Sequence, residues 1–267
     1  MSLTIGADPE FSIIDSDGKL VHANLVISGG VTEGAVGVDP SGKPAEIRPK
    51  HTDNPMELVD NVRSALQSMA YNFPYLQCFE WRAGAHVQWP LGGHIHLGYK
   101  PSDYTKFAMY VAAHVAYPLA LCDVDGMTRR RTLSVQSSTG PKVYGVNLFD
   151  HHTPPHGIEI RSPLSWLGSP KIAAAALCGA YVAAKSYGTN KQLNRDAVEA
   201  VVQHWPVLTL GAMPAVIKSF EIMPMYQEYS HQIDLMLDLG CNNPAPDMKQ
   251  TWNIKVKPLL VRRTANV

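Results

Sequence analysis

Gly92-Gly93-His94-Ile95-His96-Leu97-Gly98-Tyr99 decides how the rest of the chain is read. Imidazole and apolar side chains alternate in it, the period of a strand whose two faces differ. His94 and His96 point one way, Ile95 and Leu97 the other. The two leading glycines permit close approach by another backbone or by a ligand. The same i, i+2 spacing recurs as Asp8 and Glu10 in GADPEFSII, Glu46 and Arg48 in AEIRP, and Glu159 and Arg161 in GIEIRSP. Four such pairs on one sheet make a face of carboxylates, imidazoles and guanidiniums. Acidic residues are depleted from strands, so stability alone does not account for this face. Divalent cations and polyphosphate do.

Working outward, Leu3 to Asp15 reads as a strand, and Asp17-Gly18 as a hairpin turn into a second strand from Lys19 to Val26. Pro9 restricts the first strand to an edge or a bulge. Asn54-Pro55 opens a helix with the apolar stripe Leu58, Val59, Val62, Leu66 and Met69. Cys78 to Val87 alternates like a strand, with Glu80, Arg82 and His86 on one side. Ser102 starts a helix to about Cys122; Arg129 to Tyr144 reads as polar loop; Ser169-Pro170 caps a helix to about Tyr187. Further helices are expected over 195–205 and 221–239. There is no regular βαβ rhythm and no solenoid period. The pattern predicts an α+β fold, an antiparallel or mixed sheet with helices on one face. One domain is expected over residues 1–267, its helix-rich part from about 169 to 267.

Lys plus Arg equals Asp plus Glu at 23 each, so net charge gives no reason to expect a nucleic-acid or anionic-membrane partner. Cys78, Cys122, Cys178 and Cys241 are far apart and form no CxxC, which removes zinc-ribbon spacing and fits a reducing compartment. The longest apolar stretch, Ile172 to Ala184, falls short of the roughly 20 residues of a membrane span. With no signal-peptide pattern at the start, a soluble cytoplasmic protein is expected.

Other motifs carry less. GVDPSGK (37–43) has P-loop spacing up to Lys43, but Pro44 stands where Ser or Thr belongs and a strand follows instead of a helix, so a Gly-Pro turn is the better reading. Glu80 and Arg82 read as a surface ion pair. Arg129-Arg130-Arg131 is either a solvated face or, beside polyphosphate, a set of planar forks suited to phosphate oxygens. His151, His152 and His156 lie in a Pro-rich loop, where position alone supports nothing beyond lining an entrance.

Together, GADPEF, GGHIHLGY, the arginine run, Tyr144-Gly145 and GIEIRSPLSWL resemble the phage-encoded carboxylate–amine (COOH–NH2) ligases of type 2, amidoligases related to glutamine synthetase and glutamate–cysteine ligase. The matching motifs run from residue 6 to about 167. The resemblance implies a curved antiparallel sheet whose concave face holds ATP and two or three Mg2+ or Mn2+ ions. It implies Asp8, Glu10, Glu46, His94 and Glu159 as metal ligands and His96, Arg48 and Arg131 on the nucleotide side. Arg129 and Arg130 would hold the transferring phosphoryl, and Arg161 the charge developing on the acyl group. The partners implied are small-molecule or peptide carboxylates and amines, in a host cytoplasm, with a homo-oligomer within the range of the wider fold.

Two other classes remain open on the residues alone. His94, His96 and one carboxylate are enough for a zinc hydrolase. A non-catalytic nucleotide-binding module on the same scaffold would keep the polar pairs without turnover. Substrate choice would rest on loops 31–43 and 151–156.

Overall fold

The computed structural model describes residues 3–27, 35–39, 41–84, 89–137, 140–240 and 247–256, with backbone alone for 134–137 and 140–142. Its strands are β1 (Ile5–Ala7), β2 (Glu10–Ile14), β3 (Leu20–Val21), β4 (Val36–Val38), β5 (Ala45–Ile47), β6 (Glu80–Arg82), β7 (Ile95–Leu97), β8 (Ser134–Ser137), β9 (Gly140–Val143), β10 (His151–His152) and β11 (Ile158–Ile160). Its helices are α1 (Pro55–Asn72), α2 (Tyr104–Cys122), α3 (Val124–Thr132), α4 (Pro170–Ser186), α5 (Lys191–His204), α6 (Met213–Glu221), α7 (Tyr226–Leu237) and α8 (Met248–Thr251). The fold is α+β, and every strand pair among the described residues is antiparallel.

The first expected strand is cut in two by Asp8-Pro9. Proline has no N–H for a ladder, and at this break the chain leaves one sheet for another. One sheet runs β1-β7-β11-β10; the other runs β3-β2-β5-β4, with β6 also on β2. The polar pairs are therefore distributed over two sheets and the break between them, not one sheet. The expected hairpin forms at Asp15–Lys19, with Asp15 N–H on Lys19 O at 2.9 Å.

Helices α1, α2 and α4 pack against the apolar faces of the sheets, through β1, β4 and β5 for α1, β11 for α2 and β7 for α4. Asn54 caps α1 by accepting from Met56 and Glu57 N–H, and the predicted stripe of Leu58, Val59, Val62, Leu66 and Met69 is buried. Helices α2 and α4 are apolar nearly all round because they are covered on all sides. This explains the apolar run Ile172–Ala184; among the described residues no single helix is long and apolar enough to cross a membrane. Helix α7 packs behind α4, and α5 behind α2. Cys122 and Cys178 are buried.

Four expectations change. The described residues of 129–144 are not all loop: the end of α3 and the antiparallel pair β8–β9 lie there. Asp123 caps α3 through Gly126 N–H, and its three arginines fall in the last turn, where the helix dipole favours cations. After β3 the chain turns into a 3-10 segment, Ala23–Leu25, rather than continuing as strand. Of the strand expected over 78–87, the described part, 78–84, holds β6 alone, and His86 lies outside the described residues. The helix expected over 221–239 is α7 alone, starting only at Tyr226 after Pro224, and Glu221 instead ends a separate helix, α6.

Candidate active site

Strand register assembles the first half of the site. Gly6, His96, Glu159 and His152 are successive cross-strand partners in β1, β7, β11 and β10, so they share one face. The adjoining rows, Ile5–Leu97–Ile158 and Ala7–Ile95–Ile160, are buried on the other face. In the second sheet Gly37, Glu46 and Glu10 are partners. Two buried carboxylates directly opposite each other are unfavourable unless a cation lies between them.

Asp8, in the break, joins the halves. Its Oδ1 lies 2.9 Å from His96 Nε2 and 3.6 Å from His94 Nδ1. His94 Nδ1 also stands 3.3 Å from Glu159 Oε1. Glu159 meets Arg161 Nε at 3.2 Å and His152 Nδ1 at 3.3 Å. Asp8, His94 and Glu159 form one group able to hold a metal ion, and Glu10, Asp39 and Glu46 another; within each the ligand atoms lie within 4.8 Å of one another. Oxygen-rich sets with a single imidazole suit Mg2+ or Mn2+.

The two glycines of GGHIHLG have separate jobs. A Cβ on Gly92 would enter the His94 ring, 2.3 Å from Nε2, and one on Gly93 would fall 2.3 Å from Leu164 O. Gly92 N–H also donates to Glu10 Oε2 at 2.7 Å, so the segment that presents His94 also orients the opposite carboxylate.

The arginines divide into two kinds. Arg48 pairs with Glu46 at 2.6 Å, yet its Nη1 is buried without an acceptor among the described residues, whereas Arg161 Nε is turned to Glu159 at 3.2 Å. The Arg48 Nη1 is a donor left over for an anion. Arg130 and Arg131, expected at phosphate and nucleotide, are committed elsewhere. Arg130 is buried and donates to Ser162 O, Pro163 O and Arg161 O at 2.7, 3.0 and 3.1 Å. Arg131 donates to Gly145 O, Pro206 O and Trp205 O and lies over the Trp205 ring. Both act on main-chain carbonyls, one of which, Pro163 O, also accepts from Gly93 N–H at 3.0 Å. Arg129 is exposed. Glu80 and Arg82 form a surface ion pair at 2.6 Å, as expected of them.

The zinc arrangement is not assembled from both histidines. Among the described residues no group of possible metal ligands contains both His94 and His96; His96 Nε2 lies on Asp8 and its Nδ1 stands 3.2 Å from His156 Nε2. Sequence reasoning missed Asp39, His152 and His156 as site residues. Asp39 lies in the segment set aside as a Gly-Pro turn; the turn is real, with Gly42 N–H on Asp39 O at 2.7 Å, and it carries the carboxylate to Glu10 and Glu46. An acidic residue immediately after a strand was the available signal.

Burial raises Glu10 to about 7 and Glu46 to about 8, with Asp39 adding to the first and Asp8 to the second. Burial opposes charge on His94 as well, but Asp8, Glu10 and Glu159 outweigh it and raise the imidazole to about 9. Burial likewise opposes charge on Asp8, yet hydrogen bonds from His94 and His96 hold it well below the usual carboxylate range. The first three shifts are upward, so each stabilises below its unfolded value and loses that contribution as pH rises through its folded value. The Asp8 contribution is lost only in acid, below the unfolded value of 3.8. The metal-free protein is therefore expected to lose thermal stability from pH 5 to 9, by more than about 3 °C, equivalent to roughly 1 kcal/mol at this chain length. Adding Mn2+ at pH 8 should restore it and release protons, read by calorimetry in buffers of different ionisation heat. A melting temperature that is flat, or rises, across this window would contradict the assignment.

A comparison with protein families matches the phage phiEco32-like COOH.NH2 ligase-type 2 family over residues 5–254. No curated protein matches the chain.

Proposed function

Because the chain belongs to the phage phiEco32-like COOH.NH2 ligase-type 2 family, and so to enzymes that form carbon–nitrogen bonds, we propose that it joins a carboxylate to an amine through an acyl phosphate made from ATP. The observation that carries the ATP-dependent reading is the pair of adjacent acidic groups at the junction of the two sheets, flanked by Arg48, which has an unused donor, and by Arg161.

Bound Mg2+ or Mn2+ would neutralise the phosphates and, with ATP, supply the phosphoryl group that turns hydroxide, a poor leaving group, into phosphate. Glu10, Asp39 and Glu46 would hold one ion, and Asp8, His94 and Glu159 another. Arg48 offers its free Nη1 to a phosphate oxygen, and the exposed Arg129 can reach an anion that Arg130 cannot. Arg161, oriented by Glu159 and by its N–H on Asp150 O at 2.9 Å, stands to stabilise the oxyanion as the amine attacks. The reading takes the carboxylate and amine to be small molecules or peptides.

Calorimetric titration with a non-hydrolysable ATP analogue tests this. Binding is expected with Mg2+ or Mn2+ present and a loss of at least about 100-fold with chelator, since the phosphates then meet uncompensated carboxylates. Equal binding with and without the metal would refute it.

A further inference from the structure

The chain leaving β11 grips the main chain beside both acidic groups, through residues that have no part in the reaction proposed above. We infer that residues 163–166 are the spacer that sets the two ion-holding groups against each other, Ser165 positioning Glu10 and Trp166 positioning His94, an inference that rests on the metal-holding part of the ligase reading. Both are positioning residues, since neither belongs to a ligand group.

Ser165 stands in for a strand. Ile47 N–H reaches Pro9 O at 3.3 Å, so the main-chain groups of Glu10 turn to the edge of β2 away from β5. Strand β6 pairs with β2 only over Ser12 to Ile14 and leaves Glu10 uncovered. There Glu10 N–H donates to Gly92 O at 2.9 Å, and buried Ser165 Oγ–H donates to Glu10 O at 2.5 Å. The hydroxyl does for Glu10 what a ladder N–H does elsewhere in a sheet. With its main chain fixed at both groups, Glu10 keeps its carboxylate on Gly92 N–H and opposite Glu46.

Trp166 has the same relation to His94, one residue removed. Its Nε1–H donates to Gly93 O at 3.0 Å, and Gly93 N–H donates to Pro163 O at 3.0 Å. Both main-chain groups of Gly93 are taken by this one short segment. The indole also occupies the space a Cβ on Gly93 would need, at 2.5 Å. The segment lies outside the named strands and helices but is itself held: Arg130 binds the carbonyls of Arg161, Ser162 and Pro163, and Trp252 Nε1–H reaches Leu167 O at 2.6 Å. Backbone with its carbonyls satisfied in this way has little freedom. Two neighbouring ions need such a support, because ligands displaced by more than about 0.5 Å leave the productive geometry.

Titration of the metal-free full chain with Mn2+, followed by electron paramagnetic resonance, tests the inference. Wild type is expected to bind two Mn2+ ions whose spins couple, which suppresses the six-line signal of an isolated bound ion. Glu46→Gln and Glu159→Gln each spare one group and report its ion singly. Ser165→Ala should weaken the ion that remains in Glu159→Gln by at least about 10-fold, and the ion that remains in Glu46→Gln by less than about twofold. Trp166→Phe, which keeps an aromatic ring and loses the donor, should reverse that order. Ser165→Thr retains the hydroxyl and should retain the coupled spectrum. If the alanine variant does not fold, Ser165→Cys, close in volume and a weak donor, carries the same comparison. A merely structural role would lower the melting temperature and weaken both ions alike, and that result would overturn the inference. So would wild-type affinity for both ions in a folded Ser165→Ala protein, with the ligase reading left intact. A wild type that binds no Mn2+ would overturn the metal-holding reading and the spacer together.

Discussion

Glu159→Gln is expected to weaken Mn2+-dependent nucleotide binding by at least about 100-fold, the upper end of what is lost when the shell of a metal site is disturbed. Turnover should fall at least as far. Gln keeps the volume and one acceptor oxygen, and its backbone stays paired with His96 and His152 across the sheet. What disappears is the charge that balances His94, His152 and Arg161, all within 3.3 Å of it. The three cationic or titratable neighbours then compete with an incoming cation instead of sharing a carboxylate with it. Folding should survive, so the melting temperature of the metal-free variant is the control. Unchanged metal and nucleotide affinity in a folded Glu159→Gln protein would remove Glu159 from the site.

Arg130→Met carries the largest expected stability effect, about 3–5 kcal/mol in urea unfolding. The methionine retains much of the apolar stem but leaves the carbonyls of Arg161 and Ser162 without the Arg130 donor, while Pro163 O keeps the Gly93 N–H. Each unsatisfied buried group costs roughly 1–3 kcal/mol before relaxation. Burial lowers the guanidinium to about 10, so it is still charged at neutral pH, and Glu10 is the largest opposing influence on it. Arg129→Ala, one residue away and exposed, should shift stability by no more than about 0.5 kcal/mol. Small and equal effects at both positions would mean that the arginine run is a solvated face throughout.

These two substitutions mark where sequence reading succeeds and where it stops. Glu159 was identifiable because strand alternation is local: residues 158–160 dictate which side the carboxylate takes before anything packs on it. The His94 and Glu46 placements follow from the same rule. Arg129, Arg130 and Arg131 are indistinguishable as a string, since their roles depend on where α3 lies against the exit of β11 and the end of α5. His156 carried no local sign of its contact with His96 because that partner is 60 residues earlier in the chain. Asp39 was obscured by a failed P-loop match, although the turn that contains it was read correctly.

The sequence by itself determined the reaction class, through ordered motifs that resemble one family, and the faces of the short strands, through period-two alternation. It also determined the caps of α1 and α4 and the apolar stripe of α1, which depend on neighbours within a turn. Only the tertiary structure decided that Pro9 divides the polar pairs between two sheets, which carboxylates oppose one another, and which arginines are used on the backbone. The physical reason is range: alternation and capping act over a few residues, whereas charge pairing and desolvation are set by groups that meet only when distant strands come into register.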